Sequence, residues 1–159
     1  MGVRNYRDVA RVYFDFDNTL ADFLRAARER NMSPAQFKLV AGAYRSLPLM
    51  PGAAEAVARV IALDLDPFGL TKCPAANPYS ATEKLLWTAD NLPELNDRVI
   101  ISSDKGAVGT ERDFLVEDMP DWANARAFRG TVIHFTGDWE AVFQVIEPEL
   151  RRRALAMAR

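Results

Sequence analysis

Histidine and cysteine are almost missing from this chain: His134 and Cys73 are its only examples. One thiol excludes an internal disulfide and is the usage expected of a reducing compartment. A zinc centre built from protein ligands lacks its parts, and so does a thiol-imidazole or serine-imidazole triad. His134 lies in the β-branched run "GTVIHFT" and reads as a structural strand residue. An excess of one charge is lacking too, since 20 Lys and Arg meet 22 Asp and Glu for a formal charge of −2. That balance offers no footprint for a nucleic-acid polymer or an anionic membrane surface. The apolar runs fall far short of a membrane span, and the opening "MGVRNYRDVARV" has no apolar signal-peptide core. Tyr6 stands where myristoylation would require Ser or Thr. What remains for catalysis is carboxylates, lysines, hydroxyls and a hard metal ion. The composition, 49% apolar and 26% charged over 159 residues, is that of one globular domain with a substantial core. The expectation is a cytoplasmic single-domain protein.

Apolar runs and helical patterns alternate along the chain. Strands are expected at 9–15, 66–71, 98–102, 113–118 and 131–136, each a near-continuous apolar stretch. Helical spacing covers 20–31 and 53–63, and a second helical piece at 33–44 opens with Ser33 as N-cap and Pro34 in the first turn. A helix at 80–92 has Ser80 as its cap and Glu83 as the capping-box partner, and Asp138 caps a last helix from Trp139 with a bend at Pro148. Such alternation argues for an α/β fold with a mostly parallel five-stranded sheet covered on both faces. The stretch 24–52 is too long for a simple crossover and reads as a small helical cap over the end of the sheet.

Ligands of a doubly wound sheet gather at the carboxyl ends of its strands. The first strand ends in "YFDFDNTLADF", with Asp15 and Asp17; the second in Thr71 and Lys72; the third in "SSDK", ending at Lys105; the fourth in Glu117 and Asp118. Magnesium is the natural neutraliser for Asp15, Asp17 and Asp118, because it takes oxygen ligands and shares its shell with phosphate. A carboxylate can also attack phosphorus, leaving an aspartyl-phosphate for water to hydrolyse. The transferred group then needs charge cancellation, which a cation, Thr71 and a lysine supply. A second aspartate of raised pKa can shuttle the proton.

"VYFDFDNTLADF" resembles the first motif of the haloacid dehalogenase superfamily, with Thr71 after "PFGL", a following lysine and "FLVED" resembling its later motifs in order. Within that superfamily, "MPGAAEAV", "TKCP", "TEKLLWTADNL", "RVIISSDKGAVGTERDFLVEDMPDW" and "FTGDWEAV" resemble the 5'(3')-deoxyribonucleotidase family, from residue 9 to about residue 145. The resemblance implies a three-layer Rossmann-like fold as a single domain over 1–159, and a Mg²⁺-dependent phosphomonoesterase acting on nucleoside monophosphates. It casts Asp15 as nucleophile, Asp17 as acid/base, and Thr71 and Lys105 as phosphate holders with Lys72 and Lys84 nearby. Mg²⁺ would be bound by Asp15, Asp118 and the Asp17 backbone, and Phe23 would face the substrate. The implied partner is a small phosphate ester, with a homodimer left open. The chain departs from the family in its shorter cap, in Lys72 where a small hydroxyl residue is usual, and in Glu117 as the first acid of the pair. Tyr44, Phe37 and Leu49 are the cap's candidates for substrate contact. A sugar-phosphate phosphatase and a silent binding protein on the same fold are the alternatives. A phospho-receiver is a poor match, since Thr71 precedes the third strand and Asp104 has no suitable Thr-then-Lys on the next two strands.

Overall fold

The computed structural model describes residues 8–158, so the leader and myristoylation readings, which fall on residues 1–7, lie outside the described residues. Five strands, β1 (Arg11–Phe14), β2 (Asp66–Thr71), β3 (Val99–Ile101), β4 (Phe114–Glu117) and β5 (Thr131–His134), form one sheet in the order β3-β2-β1-β4-β5. Every neighbouring pair runs parallel. The helices are α1 (Phe23–Glu29), α2 (Pro34–Phe37), α3 (Ala53–Ala62), α4 (Ser80–Asn91) and α5 (Trp139–Met157). Among the described residues no helix is long and apolar enough to cross a membrane.

Strand alternation sorts the core into two. Val12, Phe14, Phe114 and Val116 join Val57, Trp87 and Phe143, which come from α3, α4 and α5. Tyr13, Leu115, Phe68 and Leu70 face the other way, against Ala125 and Phe128. This second face has no α-helix in the connections that cover it. The β3–β4 and β4–β5 crossovers carry only the 3-10 turns Lys105–Ala107 and Ala125–Ala127. The two loops hold each other: Lys105 N donates to Ala123 O at 2.8 Å and Asn124 Nδ2 to Asp104 Oδ1 at 2.8 Å.

The chain winds from β1 through β2 to the β3 edge, then returns to the far side of β1 as β4. The switch point therefore lies between β1 and β4, and the crevice opens where their carboxyl ends diverge. Asp15, and the pair Glu117 and Asp118, stand there.

Two helical expectations are corrected. The second helical piece is only four residues long, although Ser33 does cap it in a full capping box with Gln36. Beyond Lys38 the backbone turns, with Gly42 at φ 86°. Its polar groups find partners outside the cap: Asn77 Nδ2 donates to Lys38 O (3.0 Å) and Val40 O (3.3 Å), while Gly42 N (2.6 Å) and Tyr44 N (3.1 Å) donate to Glu83. Glu83 is thus not the capping-box partner of Ser80; its carboxylate leaves α4 to hold the cap, and Ser80 Oγ donates to Asn77 O instead. Trp87 Nε1 to Leu47 O (2.8 Å) is a further tie, and Arg45 pairs with Asp90 at 2.6 Å. Asp138 caps α5 as expected, through Glu140 N and Ala141 N, and Pro148 lies inside that helix.

Gly130, just before β5, passes so close to β4 that a Cβ would sit 2.1 Å from the Asp113 carbonyl oxygen, which Thr131 N also uses. Backbone cannot yield as a side chain can. Gly130→Ala is expected to destabilise the protein by about 2 kcal/mol, read as a lower urea midpoint with an unchanged slope.

Candidate active site

β1 delivers Asp15 in register, its N–H donating to Val116 O at 2.9 Å, so that its carboxylate meets those following β4. One oxygen from each of Asp15, Glu117 and Asp118 lies within 4.8 Å of the others. Lys105, 3% exposed, bridges two of them: its Nζ is 2.5 Å from Asp15 Oδ1 and 2.5 Å from Glu117 Oε2. Burial works to strip the Lys105 proton, but the charges of Asp15 and Glu117 outweigh it and hold the ammonium above its ordinary pKa. Burial, then the Asp15 charge, pushes Glu117 up against the pull of Lys105. Asp118 is pushed up to about 8, first by burial and then by Asp15 and Glu117. Three carboxylates against one ammonium leave an excess of negative charge in a crowded, all-oxygen setting.

The chain next turns sharply. Phe16 O accepts from Leu20 N (3.0 Å) and Ala21 N (2.9 Å), with Asn18 at φ 58°, a conformation asparagine tolerates. Phe16 enters the core edge-on to Trp87, 4.9 Å between ring centroids. Asn18 supports the site from the turn, its amide nitrogen 3.4 Å from Asp118 Oδ2 and its amide oxygen accepting from Leu24 N at 3.0 Å.

Asp17 has a lysine of its own. Lys84 is fully buried, and its Nζ lies 3.3 Å from Asp17 Oδ2, 2.8 Å from Thr71 Oγ1 and 3.2 Å from Lys72 O. The same ammonium sits over the rings of Tyr44 (4.6 Å) and Phe16 (4.9 Å). Burial raises the Asp17 pKa; Lys84 opposes it and the Asp15 charge adds to it. A protonated carboxyl at this position is a proton donor.

The structure therefore brings Asp15, Asp17, Thr71, Lys84, Lys105 and Asp118 to one end of the sheet. Lys72 contributes its carbonyl, and its side chain is exposed. The Asp17 carboxylate pairs with Lys84 and stands outside the three-carboxylate group. Phe23 is 5% exposed and packs on Phe37 (5.1 Å) and Tyr44 (5.4 Å), inside the cap's own core. Glu117, which sequence reasoning put at a strand tip and noted as a departure but did not name as a metal ligand, is a full member of the cluster. The signal for it was its place at the tip of the fourth strand. Nothing in the sequence announced the grip of Glu83 on the cap.

No protein-family model and no curated protein matches the chain. A solved structure does: a haloacid dehalogenase-like family hydrolase from Xanthomonas campestris is similar over 96% of this chain and 97% of its own, with a TM-score of 0.59 at 14% identity. The chain has the haloacid dehalogenase-like fold. The HAD-hydrolase YfnB from Bacillus subtilis, whose structure is bound to magnesium, is similar over 81% of this chain and 87% of its own, at a TM-score of 0.51 and 13% identity. On the haloacid dehalogenase-like fold described here, the cluster at the switch point is made of this chain's own residues, and its charge balance is measurable. Lys105→Met would leave Asp15 and Glu117 buried without their cation, at a cost of about 3–5 kcal/mol. Urea unfolding in the presence of a chelator is expected to show that loss.

Proposed function

We propose that this protein is a Mg²⁺-dependent phosphomonoesterase working through an aspartyl-phosphate, with nucleoside monophosphates as the substrate class that the sequence resemblance supports. One observation carries the reading. Two aspartates on a single strand tip have separate buried lysines, and only the first belongs to a cluster of carboxylates. The pair is thereby split into an anion and a proton carrier.

Asp15, whose Oδ1 meets the Lys105 ammonium, is the nucleophile. Its oxygen bonds to phosphorus as the ester P–O bond breaks, and the departing oxygen takes the proton that Asp17 holds. Asp17, now a carboxylate, accepts a proton from water as that water attacks phosphorus and the bond to Asp15 breaks. The products are an alcohol and inorganic phosphate, with Asp17 protonated again. Thr71 Oγ1 and the Lys84 ammonium, 2.8 Å apart, supply donors for phosphate oxygens. Asp15, Glu117 and Asp118 fit a hard divalent cation, offering oxygen alone from three convergent groups, with Asp118 raised first by burial and then by the charges of Asp15 and Glu117. When bound there, Mg²⁺ supplies charge cancellation for the phosphoryl group.

A second substrate reading has an observation in its favour. The cap's aromatic residues Phe37 and Tyr44, with Phe23 beside them, are buried against one another and leave no stacking face for a base. A smaller ester such as a sugar phosphate fits that arrangement better.

Turnover of p-nitrophenyl phosphate with Mg²⁺ is expected for the wild type and should fall by at least about 10³-fold in Asp15→Asn. A panel of nucleotides against sugar phosphates then ranks the two substrate classes; no turnover of any phosphomonoester would refute the proposal. Mg²⁺ at a hundredfold excess over its Kd is worth about 2.7 kcal/mol. It should raise the melting temperature by roughly 5–10 °C, and Asp118→Asn should abolish that rise.

A further inference from the structure

Asp118 is the first residue past the end of β4, and its place among the carboxylates is set from β5. Glu117 pairs with His134 in the register of these parallel strands. Phe135 N donates to Glu117 O at 2.9 Å, which fixes the peptide plane on the amino side of Asp118. The next carbonyl belongs to Asp118 itself, and a side chain meets it: His134 Nε2 lies 3.0 Å from Asp118 O. A carbonyl oxygen only accepts, so that ring nitrogen carries the proton. The same peptide group ends in Met119 N, which donates to Glu117 Oε1 at 3.1 Å. His134 thus begins a chain of hydrogen bonds that runs through one peptide to the neighbouring acid, whose other oxygen meets Lys105. Both peptide planes flanking Asp118 are held, so its Cα–Cβ bond has one direction. Asn18 Nδ2 meets the far end of the side chain, 3.4 Å from Oδ2.

His134 is exposed at the end of an edge strand, so burial of its ring does not account for it. We infer that His134 is a positioning residue for the metal site: by holding the Asp118 peptide it keeps that carboxylate aimed at Asp15 and Glu117, ready for a divalent cation. The inference rests on the cation site of the proposed function and adds to it a residue that acts from behind the ligands. Three carboxylates with oxygens within 4.8 Å of one another repel unless a cation binds them. Asp118 sits in a bend beyond the strand, where repulsion would rotate it outward if its carbonyl were free to turn. The histidine bond opposes that rotation, so the cation finds its ligands gathered. Groups that orient a ligand in this way raise metal affinity. Polarisation along the chain also strengthens the bond from Met119 N to Glu117.

Calorimetric titration with Mg²⁺ tests this, because the site number reports how much protein is folded while Kd reports the site. His134→Leu removes the donor and keeps the bulk. It should weaken Mg²⁺ binding about 10-fold with the site number unchanged. His134→Gln carries an amide N–H at a similar reach and should stay within about threefold of the wild type. The Mg²⁺ concentration for half-maximal turnover of p-nitrophenyl phosphate should move with Kd in each variant. An unchanged Kd in His134→Leu, or equal losses in the two variants, would overturn the role of His134 and leave the cation site and the phosphomonoesterase reading standing. A wild type that binds no Mg²⁺ would bring down the cation site and the role of His134 together.

Discussion

The architecture of the site depends on one buried cation. Lys105 lies between Asp15 and Glu117, at 2.5 Å from each, and so joins the tips of β1 and β4 at the place where the sheet changes direction. Without it, two carboxylates would meet in a region too enclosed for water to screen them. With it, one ammonium against three carboxylates still leaves the group underneutralised. Burial, and next the charges of Asp15 and Glu117, keep Asp118 raised, and the all-oxygen cluster is of a kind that suits a divalent ion. Folding and chemistry use the same imbalance.

A second lysine divides the work of the Asp-x-Asp pair. Lys84 ties Asp17 to Thr71 and to the backbone at Lys72, from the first turns of α4. Its neighbour Glu83 points at the cap and takes the N–H groups of Gly42 and Tyr44. Two consecutive residues of one helix thus fix the distance between the cap and the Asp17 carboxylate. The short cap joins the main core through Phe37, Ala43, Tyr44 and Leu47, and side chains from α4 and Asn77 take up backbone groups of residues 38–44 that a helix would have paired.

The sheet, its strands and the acids at their tips were legible because each is a local statement. A β-branched or aromatic run ending in Asp, Thr or Glu needs no tertiary information. Asp15, Asp17, Thr71, Lys105 and Asp118 could be named that way, and the switch point brings them together. What escaped the sequence is long-range. A Ser80-x-x-Glu83 pattern is a sound capping box by its spacing, yet Glu83 serves residues about forty positions away. Phe23 has the right offset to face a ligand, but Phe37 and Tyr44 arrive to cover it. The helical spacing of 33–44 was outweighed by a glycine at positive φ and by acceptors on another helix.

The face of the sheet around Tyr13 is clad in loops, and this has a consequence for how the molecule fails. Those loops also carry Lys105 and Asp118. Irregular backbone held by a few loop-to-loop bonds opens more readily than packed helix. On warming, this side would loosen while α3, α4 and α5 still grip the opposite face. The cluster of Asp15, Glu117 and Asp118 would lose its geometry while most of the helical signal persisted, so the site would fail ahead of the melt.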